Sequence, residues 1–452
     1  MKTIDDIAAE LAGYDPQALN VSTVNTFLSQ LVAPVTDVEE VGIFEALGRV
    51  LAQDITSPIS VPPHDNSAMD GYAFQGAQLC ATEPLVLQVV GTALAGKAWQ
   101  GAVNAGDCVK IMTGALMPEG LDTVVPQEFV TDSLTDLGKG CITVPAGLLR
   151  TGDNRRKRGE DLMEGQSALQ KGELLTPAAL GLVASLGLEK ITVLRKLRVA
   201  YFSTGNELVS LGETPREGTV FDSNRYTVFG LLSRLGCEVL DLGVVADEPD
   251  ALEAAFVSAA ERSDVIITSG GVSVGEADFT KAIMNKLGDM AFWKIAMRPG
   301  RPMAAGQIFR EKLAASPFVS TQADYAMDSQ LRSTGTAILF GLPGNPVAVM
   351  VTFLAFVRPA LRQMMGATAQ PLPLLKARSA EAIRKKPGRT EYQRGRVSTD
   401  AQGALSVKTT GSQGSGVLSS MVQANGLIVL HHDQDNVAVG DEVDVMMFDG
   451  VI

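Results

Sequence analysis

The sequence is poor in residues that cross-link chains or bind transition metals. Its three histidines are few for 452 residues, and its four cysteines, which show no CxxC spacing, are Cys80, Cys108, Cys141 and Cys237. Neither a zinc knuckle nor a disulfide framework is indicated. We therefore expect the cysteines to be core thiols in a reducing compartment.

The sequence also lacks long apolar runs and an excess of positive charge. No stretch reaches the ~18 uninterrupted apolar residues of a membrane span, and Met1 to Asp6 has early acids in place of an apolar signal region. Lys and Arg number 38 against 51 Asp and Glu, a net charge of −13 that argues against nucleic acid or an anionic membrane as the main partner. We expect a cytoplasmic protein in which a bound anion meets a local basic patch.

What the chain does contain is enough apolar residues for several cores. Hydrophobic residues make up 46% of the composition, so burial can offset the loss of chain entropy. At roughly 150 residues per domain, this length predicts about three globular domains.

The most unusual stretch runs from Pro62 to Ala73 and carries two carboxylates, Asp65 and Asp70. Its two prolines restrict the backbone, Asp-Asn-Ser favours turns, and Gly71 permits a close backbone approach. The pattern predicts a rigid, exposed loop that presents a side chain. An ordinary surface turn is the alternative.

Regular patterns flank this loop. Ser22 to Val32 follows a helical period with Ser22 as a candidate N-cap, and Gly42 to Ala52 predicts a second short helix. From about Leu85 to Val144, short β runs alternate with glycines and prolines, which predicts a compact all-β unit. Within it, Thr113 places a hydroxyl group at a strand end.

Between Leu197 and about Leu361, near-continuous apolar strands alternate with amphipathic helices, which predicts βαβ units and a parallel sheet. Ligands of such sheets bind at the carboxyl ends of the strands. Gly270 and Gly271 would let backbone N–H groups approach an anion there. The polar loops expected at this edge are Ser203–Glu207, Phe221–Asn224, Asp247, Ser269–Asp278 and Gly341–Pro346.

Two further regions complete the chain. A polar insert between Phe309 and Gly335 is expected to project as a hairpin or mobile loop. After Pro371 the chain returns to short strands, which predicts a small β-barrel or sandwich. His431 and His432 stand beside an acid, but without a third ligand pattern nearby they favour a surface turn over a metal site.

Eight motifs along the chain carry a resemblance to a known family. They are Asp65–Ala73, Met112–Ala115, Arg158–Asp161, Ser203–Leu208, Ser269–Gly275, Phe292–Lys294, Leu342–Pro346 and Gly411–Ser415. In this order they resemble the MoeA family, the molybdopterin molybdenumtransferases, which also includes the E domain of gephyrin. The resemblance covers essentially the whole chain from about Ser22.

The resemblance implies a multidomain fold of α/β and β domains in an elongated four-domain subunit. The implied domains are a discontinuous helical linker domain (20–54 and 150–180), a β domain with the Asp65 loop (55–149), a molybdopterin-binding α/β domain (181–370, with the insert at about 312–334) and a C-terminal β-barrel (371–452). It also implies a homodimer in which the α/β domain of one subunit and the β-domain loop of the other share an active site.

The resemblance further implies an enzyme that takes adenylylated molybdopterin and molybdate, inserts the metal into the dithiolene, and releases AMP with Mg²⁺ present. All three ligands are anionic, which explains local donors and cations in an acidic protein. Loop carboxylates would hold Mg²⁺ without histidine or cysteine. The implied partners are a molybdopterin adenylyltransferase and molybdoenzyme maturation proteins, and neither nucleic acid nor a membrane is expected.

By resemblance, the catalytic residues are Asp65 and Thr113 of one subunit and Glu207 and Asp278 of the other, with Asp65 activating metal insertion or hydrolysis. Glu207, Asp247 and Asp278 are expected to bind Mg²⁺. Further cofactor-binding positions are Asp222, Asp247, Ser269, Gly270, Gly271, Ser273, Lys294, Arg298, Pro343, Pro346, Arg156, Asp161, Arg394 and Ser415.

Two departures from the family pattern are expected to matter. Arg298 stands where many relatives have lysine, which replaces a point donor with a planar fork and is expected to alter molybdate geometry or affinity. The insert at about 312–334 has no counterpart in the short form and is expected to alter access or partner contact. Two other functions stay open: a non-catalytic pterin-binding scaffold of the gephyrin E type, and a nucleotide hydrolase built on the same α/β domain.

Overall fold

The computed structural model describes residues 2–134, 140–271, 278–313, 316–318 and 335–448, and only the backbone of residues 278 and 279. The chain begins with helix α1 (Ile4–Glu10), where Thr3 and Asp6 cap each other's amides. The sequence analysis missed this helix, although the Thr-x-x-Asp spacing is close to a capping box. The predicted helix at 22–32 is confirmed as α2 (Val21–Leu31), but its N-cap is Asn20.

The predicted second short helix at 42–52 is wrong. Strand β1 (Val38–Gly42) leads into a single 3₁₀ turn, and the backbone then pairs across the molecule: the Leu51 amide donates to the Glu173 carbonyl (2.9 Å). The apolar pattern misled because Phe44 is fully exposed and does not face a core. Bonds to a distant segment replace the local bonds that a helix would need.

The segment from 55 to 144 forms the predicted all-β unit. Its strands are β2 (Ile55–Thr56), β3 (Asn66–Ser67), β4 (Gly71–Phe74), β5 (Leu85–Ala93), β6 (Asp107–Ile111), β7 (Thr123–Pro126), β8 (Thr131–Leu134) and β9 (Gly140–Val144). Six of them form a sheet in the order β7-β4-β6-β5-β9-β8. Its apolar residues alternate between two clusters, with Val109 and Ile111 in one and Cys108 in the other, so both faces of the sheet are covered.

The chain segments before and after this sheet pack together. The later segment contains β10 (Arg155–Arg156), β11 (Ser167–Leu169), α3 (Pro177–Ser185) and β12 (Lys190–Leu194). β1 pairs with β12, β2 with β11 and β3 with β10, and a common apolar cluster includes Leu51, Leu175 and Val193. Residues 150–176 of the segment predicted as helical linker are therefore short strands and turns, and α3 begins only at Pro177.

An α/β domain follows. Its elements are β13 (Arg198–Thr204), β14 (Leu208–Val209), β15 (Val220–Phe221), α4 (Ser223–Arg234), β16 (Glu238–Val245), α5 (Pro249–Arg262), β17 (Val265–Ser269), α6 (Asp278–Leu287), β18 (Gly288–Lys294), β19 (Met297–Arg298), β20 (Pro302–Phe309), α7 (Arg310–Leu313), β21 (Thr336–Leu342), α8 (Pro346–Thr352) and α9 (Arg358–Met364). The sheet order is β16-β13-β17-β21-β20-β18, and the first four strands are parallel, as predicted. The antiparallel pair β18 and β20 extends it.

The predicted long apolar helix near the end of this domain is present but interrupted. α8 and α9 are joined by a π turn at Phe353–Val357, directly before a turn of helix that contains Pro359. A proline inside a helix removes one N–H donor and crowds the preceding turn, and the wider π turn accommodates both effects. This is a helix long and apolar enough to cross a membrane, but 83% of the relevant window is buried inside the protein.

The polar insert leaves the sheet between β20 and β21. These strands are antiparallel neighbours, Phe309 pairs with Thr336, and the Arg310 amide donates to the Gly335 carbonyl (2.9 Å). Most of the predicted insert at about 312–334 lies outside the described residues. The strands at its two ends pair side by side, so the sheet is continuous on both sides of the insert.

The C-terminal strands close into a barrel. They are β22 (Leu375–Ser379), β23 (Thr390–Thr399), β24 (Leu405–Thr409), β25 (Gly426–Leu430) and β26 (Glu442–Met447), with helix α10 (Ser419–Gln423) between β24 and β25. β23, β24, β22, β26 and β25 form a closed ring of five. β19 of the α/β domain adds to this barrel by pairing with the start of β23. The predicted fold class, α/β and β domains with a C-terminal barrel, is confirmed.

Candidate functional site

The loop Pro62–Ala73 is fastened on both sides. On one side the Gly159 amide donates to the Pro62 carbonyl (2.9 Å) and β3 pairs with β10. On the other, the Met117 amide donates to the Asp65 carbonyl (3.0 Å). Backbone bonds on two sides fix the loop, so it presents its side chains from a set position.

The Asp65 carboxylate is oriented by the segment that follows β10. Its Oδ1 accepts the Arg158 amide (2.8 Å), and its Oδ2 lies 3.6 Å from Nη1 of Arg155. The side chain remains 39% exposed. An oriented carboxylate that still reaches solvent can accept a proton from, or position, a bound reactant.

The second carboxylate of the loop, Asp70, holds Thr113. Its Oδ1 accepts both the amide and the hydroxyl of Thr113, each at 2.7 Å. These two bonds, the amide first, lower the pKa of Asp70. Because the Thr113 hydroxyl proton is committed to Asp70, a ligand meets the lone pairs of that oxygen.

Arg156 and Asp161 lie close to Asp65 along the same edge. Arg156 is in β10, where its backbone pairs with Asn66, and the Asp161 amide donates to the Val61 carbonyl (3.1 Å). Both side chains are exposed. The structure therefore brings Asp65, Thr113, Arg156 and Asp161 to one region of the β domain.

The second group of predicted residues lies at the carboxyl edge of the α/β sheet. There the side-chain amide of Asn224 donates to Ser269 Oγ (2.8 Å) and to the Gly344 carbonyl (2.6 Å), while the Ser269 hydroxyl donates to the Pro343 carbonyl (3.3 Å). Pro346 starts α8 directly after this turn. Asn224 thus ties α4, β17 and the Pro343 turn together.

Sequence reasoning missed Asn224, although its motif was noted. The available signal was a polar amide one residue inside a helix whose N-cap, Asp222, already satisfied the first turn. Because Asp222 already fills the capping role, the side chain of Asn224 is free to bond to another element of the fold.

Three acids lie near this edge, and they differ in how many of their carboxylate oxygens are hydrogen-bonded. Asp222 caps α4 through Oδ1, which accepts the Arg225 amide (3.1 Å), whereas its buried Oδ2 has no partner among the described residues. Asp247 follows β16, and its buried Oδ1 is likewise without a described partner. Glu207 is exposed on the turn after β13.

Further buried polar atoms at the strand ends and on the neighbouring helices α4 and α6 also lack a described hydrogen-bond partner. Within the described ranges, no hydrogen-bond partner is found for the hydroxyls of Thr204, Thr268 and Thr280 or for Oδ1 of Asn224. Buried polar groups are almost always hydrogen-bonded in folded proteins, and an unbonded one costs free energy. Such a concentration at one edge is what a polar ligand would satisfy.

The glycine pair after β17 is packed against this edge. Gly270 has φ +96°, and a Cβ atom there would lie 2.2 Å from the Thr204 carbonyl oxygen. Its amide donates to the Leu342 carbonyl (3.2 Å) and is therefore not free for an anion. At Gly271, a Cβ atom would lie 3.0 Å from Thr280 Oγ1. Both glycines permit a close approach of elements, which is a packing role.

Two predicted positions after these glycines fall at or beyond the limit of description. Ser273 lies outside the described residues. Asp278 begins α6, and its side chain also lies outside them.

The turn that carries Ser415 reaches the same edge from the barrel. The Val347 amide, at the start of α8, donates to the Ser415 carbonyl (3.0 Å). Arg394 is only 1% exposed, and its Nη2 donates to the carbonyls of Ser412 (3.1 Å) and Gly414 (2.9 Å). The Arg394 guanidinium therefore shapes the Ser415 turn from behind, and its cofactor contact stays a prediction.

The two predicted cations lie on either side of a tight connection. Lys294 ends β18, opposite Pro302 of β20, and Arg298 is exposed in β19. Arg298 is close enough to Arg394 that, after burial, its charge is a cause of the lowered pKa of Arg394. Arg298 therefore adds positive charge beside the Ser415 turn.

The acids present fit a divalent cation in part. Among the residues that the structure describes, no group of three His, Cys, Asp or Glu side chains is arranged to hold a metal. The unpartnered Oδ1 of Asp247 and the exposed carboxylate of Glu207 are the hard oxygen ligands that Mg²⁺ takes, usually together with waters and substrate phosphates. One or two carboxylates at a phosphate site suit that ion.

Comparison with known proteins accounts for nearly the whole chain. Family models described as MoeA N-terminal region (domain I and II), probable molybdopterin binding domain, and MoeA C-terminal region (domain IV) match residues 19–187, 200–363 and 376–448. The molybdopterin molybdenumtransferase of Haemophilus influenzae is 40% identical over 94% of this chain and 97% of its own length, and that of Bacillus subtilis is 32% identical over 91% and 90%.

A solved structure agrees with these matches. The molybdopterin biosynthesis moeA protein of Pyrococcus horikoshii superposes with a TM-score of 0.74 at 26% identity, covering 95% of this chain and all of that one. All domains of the chain and their order are thus matched at once. The chain belongs to the MoeA family.

Proposed function

We propose that this protein is a molybdopterin molybdenumtransferase, which inserts molybdate into adenylylated molybdopterin with Mg²⁺-dependent release of AMP. The observation that carries this proposal is the set of unpartnered buried polar atoms at the carboxyl edge of the α/β sheet. That edge is where parallel sheets bind ligands. The relatives named for this activity match 94% and 91% of the chain, which favours the enzyme over a pterin-binding scaffold.

The chemistry of the edge suits a large polar substrate with phosphates. The hydroxyls of Thr204 and Thr268 can donate to substrate oxygens, and Asp222 Oδ2 can accept from a pterin or adenine amino group. Lys294 and Arg298 supply positive charge for phosphate or molybdate in a protein whose net charge is −13. Arg298 offers a planar fork to molybdate, as the sequence analysis expects.

A bound Mg²⁺ would neutralise charge on the phosphate groups and assist the departure of AMP. Glu207 and Asp247 would hold it, joined by Asp278 as the sequence predicts. The chain's own part is to hold these carboxylates near the strand ends and to leave Asp247 Oδ1 without a described protein donor.

We also propose that the active site is shared between two subunits of a homodimer. Among the described residues, the hydrogen bonds and ion pairs of the loop Pro62–Ala73 all fall within its own β domain and the adjoining linker, and none reaches the sheet edge. The loop is therefore free to present Asp65 to a second copy of the chain. Its fastening keeps Asp65 in position without help from the site that it completes.

Complementation tests the shared site. Dimers that pair an Asp65→Ala subunit with a Glu207→Ala subunit contain one site in which both residues are intact. They should regain about half of the wild-type sites, measured as AMP release, whereas each homodimeric variant stays inactive. Failure to regain activity in verified mixed dimers would count against sharing.

The activity itself is tested by turnover. Purified protein incubated with adenylylated molybdopterin, Mg²⁺ and molybdate should release AMP and yield a cofactor that activates an apo-molybdoenzyme. Omitting molybdate is the control. Tight binding of the adenylylated substrate without molybdate-dependent AMP release would favour the scaffold function instead.

The proposal places the protein in the cytoplasm, between a molybdopterin adenylyltransferase that supplies its substrate and molybdoenzyme maturation proteins that receive its product. The sequence-based expectation of a reducing compartment supports this, since the product carries a metal on a dithiolene.

A further inference from the structure

A large cavity lies between α2, α9 and the barrel. Its volume is about 880 Å³, within the range of small-molecule sites. Leu28, Leu354 and Met446 contribute to a mainly apolar wall. None of the predicted site residues that the structure describes lines it, so the proposed transferase reaction does not account for it.

A buried cation, Arg358, faces this cavity without a counterion among the residues that the structure describes. Arg358 is 4% exposed and lines the cavity where the π turn meets α9. Its Nε is buried and has no hydrogen-bond partner, and within the described part of the chain no carboxylate pairs with its guanidinium. An unpaired buried charge is among the costliest features of a fold, so its presence asks for a compensating group.

The surroundings of Arg358 further disfavour its unpaired positive charge. Burial, and then the nearby charge of Arg362, lower the pKa of Arg358 to about 10. Both arginines line the cavity, as do the hydroxyl-bearing Tyr392, which is 6% exposed, and His432, whose buried Nδ1 has no described partner. The acid among the lining residues, Asp433, is exposed. The cavity therefore offers several donors and little negative charge.

We propose that this cavity binds a small amphipathic organic anion, whose carboxylate or phosphate group pairs with Arg358 while its apolar body fills the space between α2 and the barrel. The guanidinium fork matches either anionic group. The π turn contributes by directing Arg358 into the cavity at the helix position where Pro359 leaves the backbone irregular. This inference does not depend on the proposed function.

The first test uses the wild-type protein alone. The fluorescent sulfonate 8-anilinonaphthalene-1-sulfonate should bind saturably, and octanoate should displace it at concentrations at least about tenfold lower than octanol, which has the same chain without the charge. Octyl phosphate in place of octanoate shows which anionic group is preferred. Equal displacement by octanol and both anions would overturn the proposal.

The second test assigns the effect to Arg358. In Arg358→Met the preference for octanoate over octanol should disappear, while Arg358→Lys should retain part of it. The matched control is Arg396→Met, which removes an exposed arginine of the barrel that does not line the cavity. A full preference in Arg358→Met would place the anion elsewhere and overturn the assignment.

Activity separates this proposal from the transferase. AMP release should be unchanged in Arg358→Met because the residue lies outside the proposed active site. Loss of the anion preference with normal AMP release supports both proposals. Normal preference in wild type with no AMP release at all would refute only the transferase.

Discussion

The two groups of site residues differ in how their polar atoms are satisfied. In the Asp65 loop the carboxylates are bonded to their own domain, Asp65 to the Arg158 amide and Asp70 to Thr113. At the sheet edge, buried oxygens of Asp222 and Asp247 have no described partner. The two carboxylates of the loop are thus bonded without a ligand, whereas those of Asp222 and Asp247 at the edge are only partly bonded. This difference supports our proposal that the loop delivers a reactive group and that the edge receives the substrate.

The largest effect on AMP release should come from replacing Asp65, the residue that we propose the loop delivers. Asp65→Ala is expected to lower the rate of AMP release by about 100-fold or more, because a positioned acid–base group typically contributes that much. Thermal stability should change little, since the side chain is partly exposed.

Glu119→Ala, an exposed acid of the same domain, is the control and should keep the wild-type rate. If Asp65→Ala turns over normally, the loop does not deliver a catalytic group and the comparison fails.

A pair of glycine variants compares the tolerance of the two regions. Gly270→Ala at the sheet edge combines φ +96° with a Cβ atom 2.2 Å from a backbone oxygen, whereas at Gly114 beside the loop (φ +77°) a Cβ atom meets nothing within 4 Å. The free energy of unfolding should fall by at least about 2 kcal/mol for Gly270→Ala and by about 1 kcal/mol for Gly114→Ala.

Urea denaturation measures both values. Equal losses would mean that the close packing at Gly270 relaxes readily, and that the sheet edge is less tightly built than its geometry indicates.

The unpartnered carboxylate at the edge should matter for ligand binding rather than for folding. Asp247→Asn is expected to weaken Mg²⁺ binding in the presence of AMP by about tenfold, since ligand charge tunes the affinity of such sites. Stability should be unchanged, because Oδ1 has no described partner to lose.

Asp241→Asn is the contrasting variant, because Asp241 pairs with Arg225 at 2.8 Å. It should affect stability more than Mg²⁺ affinity when both are measured by calorimetry. The reverse result would show that Asp247 is a structural residue.

The smallest effect should be confined to the hydrogen bonds between Asp70 and Thr113. Asp70→Asn weakens the acceptor for the Thr113 amide, so hydrogen exchange at that amide should quicken at pH 7 with little change in melting temperature. The pKa of Asp70 lies below its usual value of 3.8, so its ionised form stabilises the fold above that pH and the contribution is lost as the pH falls further. The exchange rates of the Thr113 amide in the variant and in wild type should therefore converge at low pH. A difference in exchange rate that stays constant with pH would exclude the charge of Asp70 as the cause.

The sequence predicted the regular parts of this protein well because their patterns are local. The apolar periodicity of β13, α4 and β17, together with the polar loops that follow the strands, predicts the position of the sheet edge correctly. The helix predicted from Gly42 failed because its backbone bonds go to residues 172–175, which no local pattern reveals.

For the site, the sequence predicted which residues take part but not which of their polar atoms have hydrogen-bond partners. Nothing in the sequence distinguishes Arg394, whose donors are used by the Ser415 turn, from Arg358, whose guanidinium has no described partner. That distinction depends on contacts between residues that are distant in the sequence, and resemblance supplies it only for positions that the family motifs cover.

The pairing of β19 with β23 joins the α/β domain to the barrel. Arg298 pairs with Glu391 in this two-residue strand, and the Thr390 amide donates to the Ala296 carbonyl (2.9 Å). A rotation of the barrel must therefore either break these bonds or move the backbone of Arg298 with it. A partner that binds and shifts the barrel would therefore also displace Arg298, an exposed cation beside the Ser415 turn.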